Sequence, residues 1–145
     1  MSELPSPQRM RLTLRFLVLA IAALALPAAA EAKAPAGVWQ NPKGSVRVQF
    51  RDCGPPGGIC GRIIWASPEA QAKTDAAGGG KLVGNDLFQN FAPSGRNQWA
   101  GSVLIPDIGQ TVQGTITQTG PKTLVGEGCL FAGYGCKQQV WVRVK

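Results

Sequence analysis

Apolar and polar side chains alternate through much of this chain with the period of a β-strand. Val46, Val48 and Phe50 fall on one face and Arg47, Gln49 and Arg51 on the other, as expected of a strand with one buried face. Glycine and proline interrupt the chain at short intervals, and the runs between them are rich in β-branched and aromatic residues; such a chain reads as strands joined by turns. The pattern predicts a short entry strand near Trp39, then strands over 46–51, 59–65, 82–91, 98–105, 111–118, 123–129 and 139–144, about eight in all. Gly101, Gly114, Gly126 and Gly128 lie inside these runs, where they weaken a flat sheet but permit the bends and bulges of a strongly coiled one. The expected fold is all-β: a small antiparallel barrel, with a two-sheet β-sandwich as the alternative that strand count does not separate from it.

One short helix interrupts this series. Ser67 suits an N-cap, Pro68 a first turn, and Glu69, Ala70, Gln71 and Ala72 favour helix, so one or two turns are predicted over 67–73. The glycine-rich stretch 75–80 that follows reads as a surface loop, since it lacks the spacing of a phosphate-binding loop and a following Lys-Ser or Lys-Thr.

The first thirty residues have a different pattern. Arg9, Arg11 and Arg15 precede an apolar run over 16–26, then Pro27 and three alanines, the layout of a secretory signal peptide. Cleavage is expected after Ala30 or Ala32. A membrane anchor fits less well, because a spanning helix needs about 20 apolar residues. A lipoprotein would need a cysteine directly after the apolar run, whereas the first is Cys53. The predicted organisation is a cleaved leader, 1–30, followed by one domain, 31–145, in the periplasm or secreted and with no membrane span after cleavage.

Four cysteines fall in two pairs of equal spacing, Cys53 with Cys60 and Cys129 with Cys136. Three connectivities are available. Gly54, Pro55, Pro56, Gly57 and Gly58 in the first interval, and Gly133 and Gly135 in the second, mark chain reversals that bring the pair ends together. Bonds 53–60 and 129–136 are therefore predicted, each worth about 2–3 kcal/mol in a loop-closure account. A zinc site is disfavoured by the spacing and by the absence of histidine from the sequence. A catalytic thiol pair would have shorter spacing.

The formal net charge of +7 falls once the leader is removed. The leader carries three of the 15 basic residues and one, Glu3, of the 8 acidic ones, which leaves 12 and 7 and a balance of +5. That balance favours anionic envelope surfaces. Lys43, Arg47, Arg51, Lys73, Lys81 and Lys122 are scattered without interleaved aromatics, which argues against a nucleic-acid partner.

Several segments resemble the DUF2147 family of exported bacterial proteins. They are Gly37-Val38-Trp39, Asp52-Cys53-Gly54, Ile59-Cys60-Gly61-Arg62-Ile63-Ile64-Trp65, Gln98-Trp99-Ala100-Gly101, 106–111, 124–129 and Trp141-Val142-Arg143. The family often carries an Asn-Pro-Asp-Pro stretch and a basic run in the middle, where this chain has 74–80. A looser similarity, to lipocalin or calycin barrels, implies structural roles for Gly37, Trp39 and Arg143. In those barrels a Gly-x-Trp on the first strand packs against a late arginine, and guanidinium over indole is a contact of about 0.5–2 kcal/mol. Strand alternation sets Arg143 opposite Val140, Val142 and Val144, so the analogy requires a twist or bulge there.

Catalysis is disfavoured. The sequence has no histidine, the predicted pairing leaves no free thiol, and Asp52, Asp75, Asp86, Asp107 and Glu127 sit mostly beside Gly, Asn or Pro, where aspartate shapes turns. No catalytic residue, metal or cofactor is implied. An eight-stranded barrel is just wide enough to be filled by its own side chains or to hold one small ligand. The leading expectation is a binding protein for a small apolar ligand or envelope component, with Trp65, Phe88 and Trp99 as candidate lining residues. The alternative is a solid barrel whose loops or edge strands contact another envelope protein.

Overall fold

The computed structural model describes Ala25, residues 33–131 and residues 133–145; the expected leader and its cleavage sites lie outside the described residues, Ala25 apart. Eight antiparallel strands follow one another around the sheet: β1 (Val38–Gln40), β2 (Val46–Asp52), β3 (Ile59–Ala66), β4 (Asp86–Gly95), β5 (Gln98–Ile105), β6 (Gln110–Gly120), β7 (Thr123–Phe131) and β8 (Tyr134–Arg143). Each pairs with the next and β8 returns to β1, giving a closed barrel; that closure decides between the two all-β expectations. Between β3 and β4 lies one helix, α1 (Pro68–Ala76), where Ser67 Oγ accepts the Ala70 N–H at 3.1 Å. A single 3-10 turn, Pro106–Ile108, joins β5 to β6. Among the described residues no helix is long and apolar enough to cross a membrane.

Three strand boundaries differ from the sequence reading by four residues or more. β4 begins at Asp86, not 82, and runs on to Gly95, not 91; Leu82 instead reaches the core from the preceding loop, 3% exposed. β8 begins at Tyr134, not 139, in continuous register with β7 from Thr123↔Val142 to Phe131↔Tyr134.

The predicted disulfides are both present, Cys53–Cys60 and Cys129–Cys136, and they lie at opposite ends of the barrel. The first closes the β2–β3 loop at the base, where the Trp99 indole N–H donates to Gly57 O at 3.0 Å. The second joins directly opposed residues of the β7–β8 hairpin.

Large side chains fill the lower half. Trp39, Trp99, Phe91, Ile59, Ile116 and Leu124 are almost wholly buried. Phe88 lies at the top of this layer, stacked on Phe50 with centroids 5.5 Å apart and edge-on to Phe91 and Trp141 at 5.7 and 5.4 Å. The cluster needs Gly61 on β3, because a Cβ there would come within 2.7 Å of the Phe88 ring.

Two bulges reset the alternation. In β2–β3 the partners step from Arg47↔Trp65 to Val48↔Ile63, which leaves Ile64 as the extra residue. In β4, Asn90 adopts φ 52° and the register shifts between Gln89 and Ala92, so that Phe88 and Phe91 both point inward.

Candidate functional site

Above Phe88 the barrel is hollow. A cavity of about 550 Å³ opens at the end that carries α1, the 3-10 turn and the β7–β8 hairpin. Its inner wall is apolar: Val46, Ile63, Leu82, Leu87, Phe88, Val103, Val112 and Trp141. Glycine makes the room. Gly126 and Gly128 occupy inward positions of β7, and Gly135 an inward position of β8; a Cβ on Gly126 would find its nearest neighbour, Trp141 Nε1, at 3.7 Å.

The mouth is polar. Gln139 and Lys137 take the inward positions of β8 above Trp141, and Asn41, Lys43 and Ser45 of the β1–β2 turn line the mouth on the β1 side. Glu69 and Lys73 on α1, with Asp107 in the 3-10 turn, complete the rim. Among the described residues the two ion pairs are Arg51–Asp86 at 2.6 Å and Arg62–Asp86 at 3.6 Å. Both lie on the outside of the barrel, and among the described residues the rim lysines and carboxylates form no ion pair. Asp86 therefore bridges two arginines across strands, where the sequence reading had assigned aspartates to turns.

Of the three candidate lining residues, only Phe88 borders the cavity. Trp99 is buried in the base, below the hollow part, and ties down the disulfide loop. Trp65 is on the outer surface, 38% exposed, with the Arg47 guanidinium 4.8 Å from its ring centroid. The Ile64 bulge explains this. By simple alternation from Ile63, Trp65 would point inward; the extra residue gives the inward place to Ala66, which packs on the core with Val46. Trp141 went unrecognised as a lining residue. The signal for it is a large aromatic alternating with valines: Trp141 takes the inward place, and Val140 and Val142 are exposed.

The structure brings Gly37, Trp39 and Arg143 together at the base. Trp39 and Arg143 are register partners, and a Cβ on Gly37, at φ +94°, would lie 2.5 Å from Arg143 Nε. Arg143 shares the parity of inward-facing Trp141, while Val140, Val142 and Val144 are exposed, so neither twist nor bulge is needed. The Arg143 Nε–H donates to Lys145 O at 3.0 Å. Among the described residues the cation–π contact is Arg47 over Trp65, not Arg143 over Trp39.

Glu127, Cys129 and Cys136 have potential ligand atoms within 4.8 Å of one another. The disulfide occupies both sulfurs, and thiolate is the metal-binding form of cysteine. That cluster is thus structural in the oxidised protein.

The family model described as an uncharacterized protein conserved in bacteria, DUF2147, matches residues 37–143, and the chain belongs to that family. The matched span contains the whole barrel. No curated protein and no solved structure matches the chain.

Proposed function

We propose that this DUF2147 protein is an exported binding protein that holds a small, largely apolar ligand in the upper half of its barrel. The observation that carries the reading is the cavity itself. Its volume of about 550 Å³ falls within the roughly 300–1,000 Å³ typical of ligand pockets, which are mostly apolar with a few placed polar groups. Phe88 and Trp141, packed edge to face, supply an aromatic floor. The Trp141 indole N–H has no acceptor among the described residues, and Gln139 and Lys137 offer further donors toward the mouth. Export is supported by the leader-like start of the chain and by the two disulfides, which persist in oxidising compartments.

The test is to fill the cavity from the wall. Gly126→Leu places a branched side chain where the nearest atom to its Cβ is 3.7 Å away, so the barrel should tolerate it while the ligand space shrinks. Native mass spectrometry of protein isolated gently from the envelope should show a bound small molecule on the wild type and none on the variant. An apolar fluorescent dye should bind the variant at least about tenfold more weakly, about 1.4 kcal/mol, at an unchanged or higher unfolding midpoint. Equal dye binding by both proteins would refute the reading.

A further inference from the structure

The barrel closes unevenly. β1 has three residues and reaches β8 only through Trp39↔Arg143 and Gln40↔Val142, after which the chain turns away at 41–45. β8 continues upward to Tyr134. Its upper half therefore has β7 on one side and no strand on the other.

The direction of the backbone groups follows from the ladder. Val144 N–H donates toward β1, to Val38 O, and Arg143 N–H toward the β7 side, to Lys122 O. Backbone groups alternate sides along a strand, and the β7–β8 register is unbroken. Cys136, Gln138 and Val140 thus aim N–H and C=O at the open side; Tyr134, beyond the left-handed Gly135 (φ 63°), closes the hairpin on Phe131. Among the described residues no turn, loop or side chain bonds to the backbone of these three, and all three are exposed. The side chains between them, Lys137 and Gln139, face the cavity.

We propose that the upper edge of β8 is a strand-addition site for an extended segment of another polypeptide, apolar at alternate positions with one carboxylate among them. Main-chain bonding to a sheet edge supplies affinity in such recognition, and pockets for alternate side chains supply specificity. Both parts are here: three edge-facing residues, and directly beside them the mouth of an apolar cavity. The carboxylate answers Lys137 and Lys43, which flank the opening and pair with no acidic group among the described residues. This site goes beyond a small-ligand reading and stands whether or not the cavity above Phe88 is occupied.

A synthetic probe tests it: a blocked seven-residue peptide with valine at alternate positions and threonine and glutamate between. Added to the oxidised protein, it should slow amide exchange at Cys136, Gln138 and Val140 by about tenfold or more, and leave the amides of Lys137 and Gln139, already directed to β7, little changed. Methylating the peptide nitrogens along its pairing edge should abolish the effect, whereas methylating the opposite edge should not. Three results would overturn the proposal: no protection at millimolar peptide, equal binding of the two methylated forms, or changes confined to Phe88 and Trp141, which would mean small-ligand entry instead. Protection of the same three amides by self-association, before peptide is added, would also overturn it in favour of a second copy.

Discussion

Gly101 and Gly126 are both inward-facing strand glycines, and replacing each with alanine should move stability in opposite directions. Neither needs a left-handed backbone, so the unfolded-state term is shared: a lost glycine narrows the denatured ensemble and stabilises by roughly 0.4–1 kcal/mol where the native geometry permits a side chain. At Gly126 it does, with the nearest atom to the new Cβ at 3.7 Å. At Gly101 it does not. The β4 bulge at Asn90 pushes the opposing chain close, and a Cβ would lie 2.8 Å from Gln89 O, 2.8 Å from Phe91 Cα and 2.7 Å from the Phe91 ring. Two of those three atoms are backbone, so no rotamer relieves the clash. Overpacking of this kind costs roughly 1–3 kcal/mol, and because the entropic gain is common, that range is the expected gap between the two variants. Urea unfolding followed by tryptophan fluorescence reads the gap directly, provided both variants keep the wild-type slope. In thermal melts each kcal/mol should appear as roughly 4 °C or more for a domain of this size. Equal stability of the two variants, or a less stable Gly126→Ala, would refute the register and the bulge from which the argument starts.

Removing the base disulfide, Cys53→Ser with Cys60→Ser, should destabilise the barrel by about 2–3 kcal/mol in the same urea assay and loosen the Trp99–Gly57 bond, read as faster indole exchange. An unchanged midpoint would mean that the loop is held by other contacts. Ser67→Ala removes the cap of α1 and should cost about 1 kcal/mol, with faster exchange of the Ala70 amide as the local signature.

Strand order and the cysteine pairing were legible because they depend on local signals: alternation in β2, reversals between each cysteine pair, and a capping serine before Pro68. Facing was less legible. Alternation in β8 separates Val140, Val142 and Val144 from Trp141 and Arg143, but it does not say which set is inside, and the single tryptophan takes the interior over three smaller side chains. Trp65 was misplaced for a different reason, since one extra residue at Ile64 inverts parity and leaves no mark in composition. The upper part of β8 escaped notice because Gly135, Lys137 and Gln139 line a polar mouth. A strand whose inner face is not apolar has no alternation to detect, and the cavity residues were hardest to read for that reason.

The second disulfide bears on that same stretch. Above Val142, β8 is the edge of a sheet that β7 and β6 continue as far as Gln113↔Cys129, and only the hairpin tip beyond that pair stands as two strands, which are marginal in water by themselves. Cys129–Cys136 joins directly opposed residues at the base of that tip, so it holds β8 against β7 where no neighbour on the β1 side does. The base disulfide has no such task, because its loop borders a filled core. If the open edge binds nothing, a bond placed there secures only exposed chain. If it accepts a strand, the bond prearranges three edge-facing residues and reduces the ordering cost that binding would otherwise carry. Reduction of Cys129–Cys136 should then weaken peptide addition well before it unfolds the barrel, and loss of both at one denaturant concentration would count against the preorganising role.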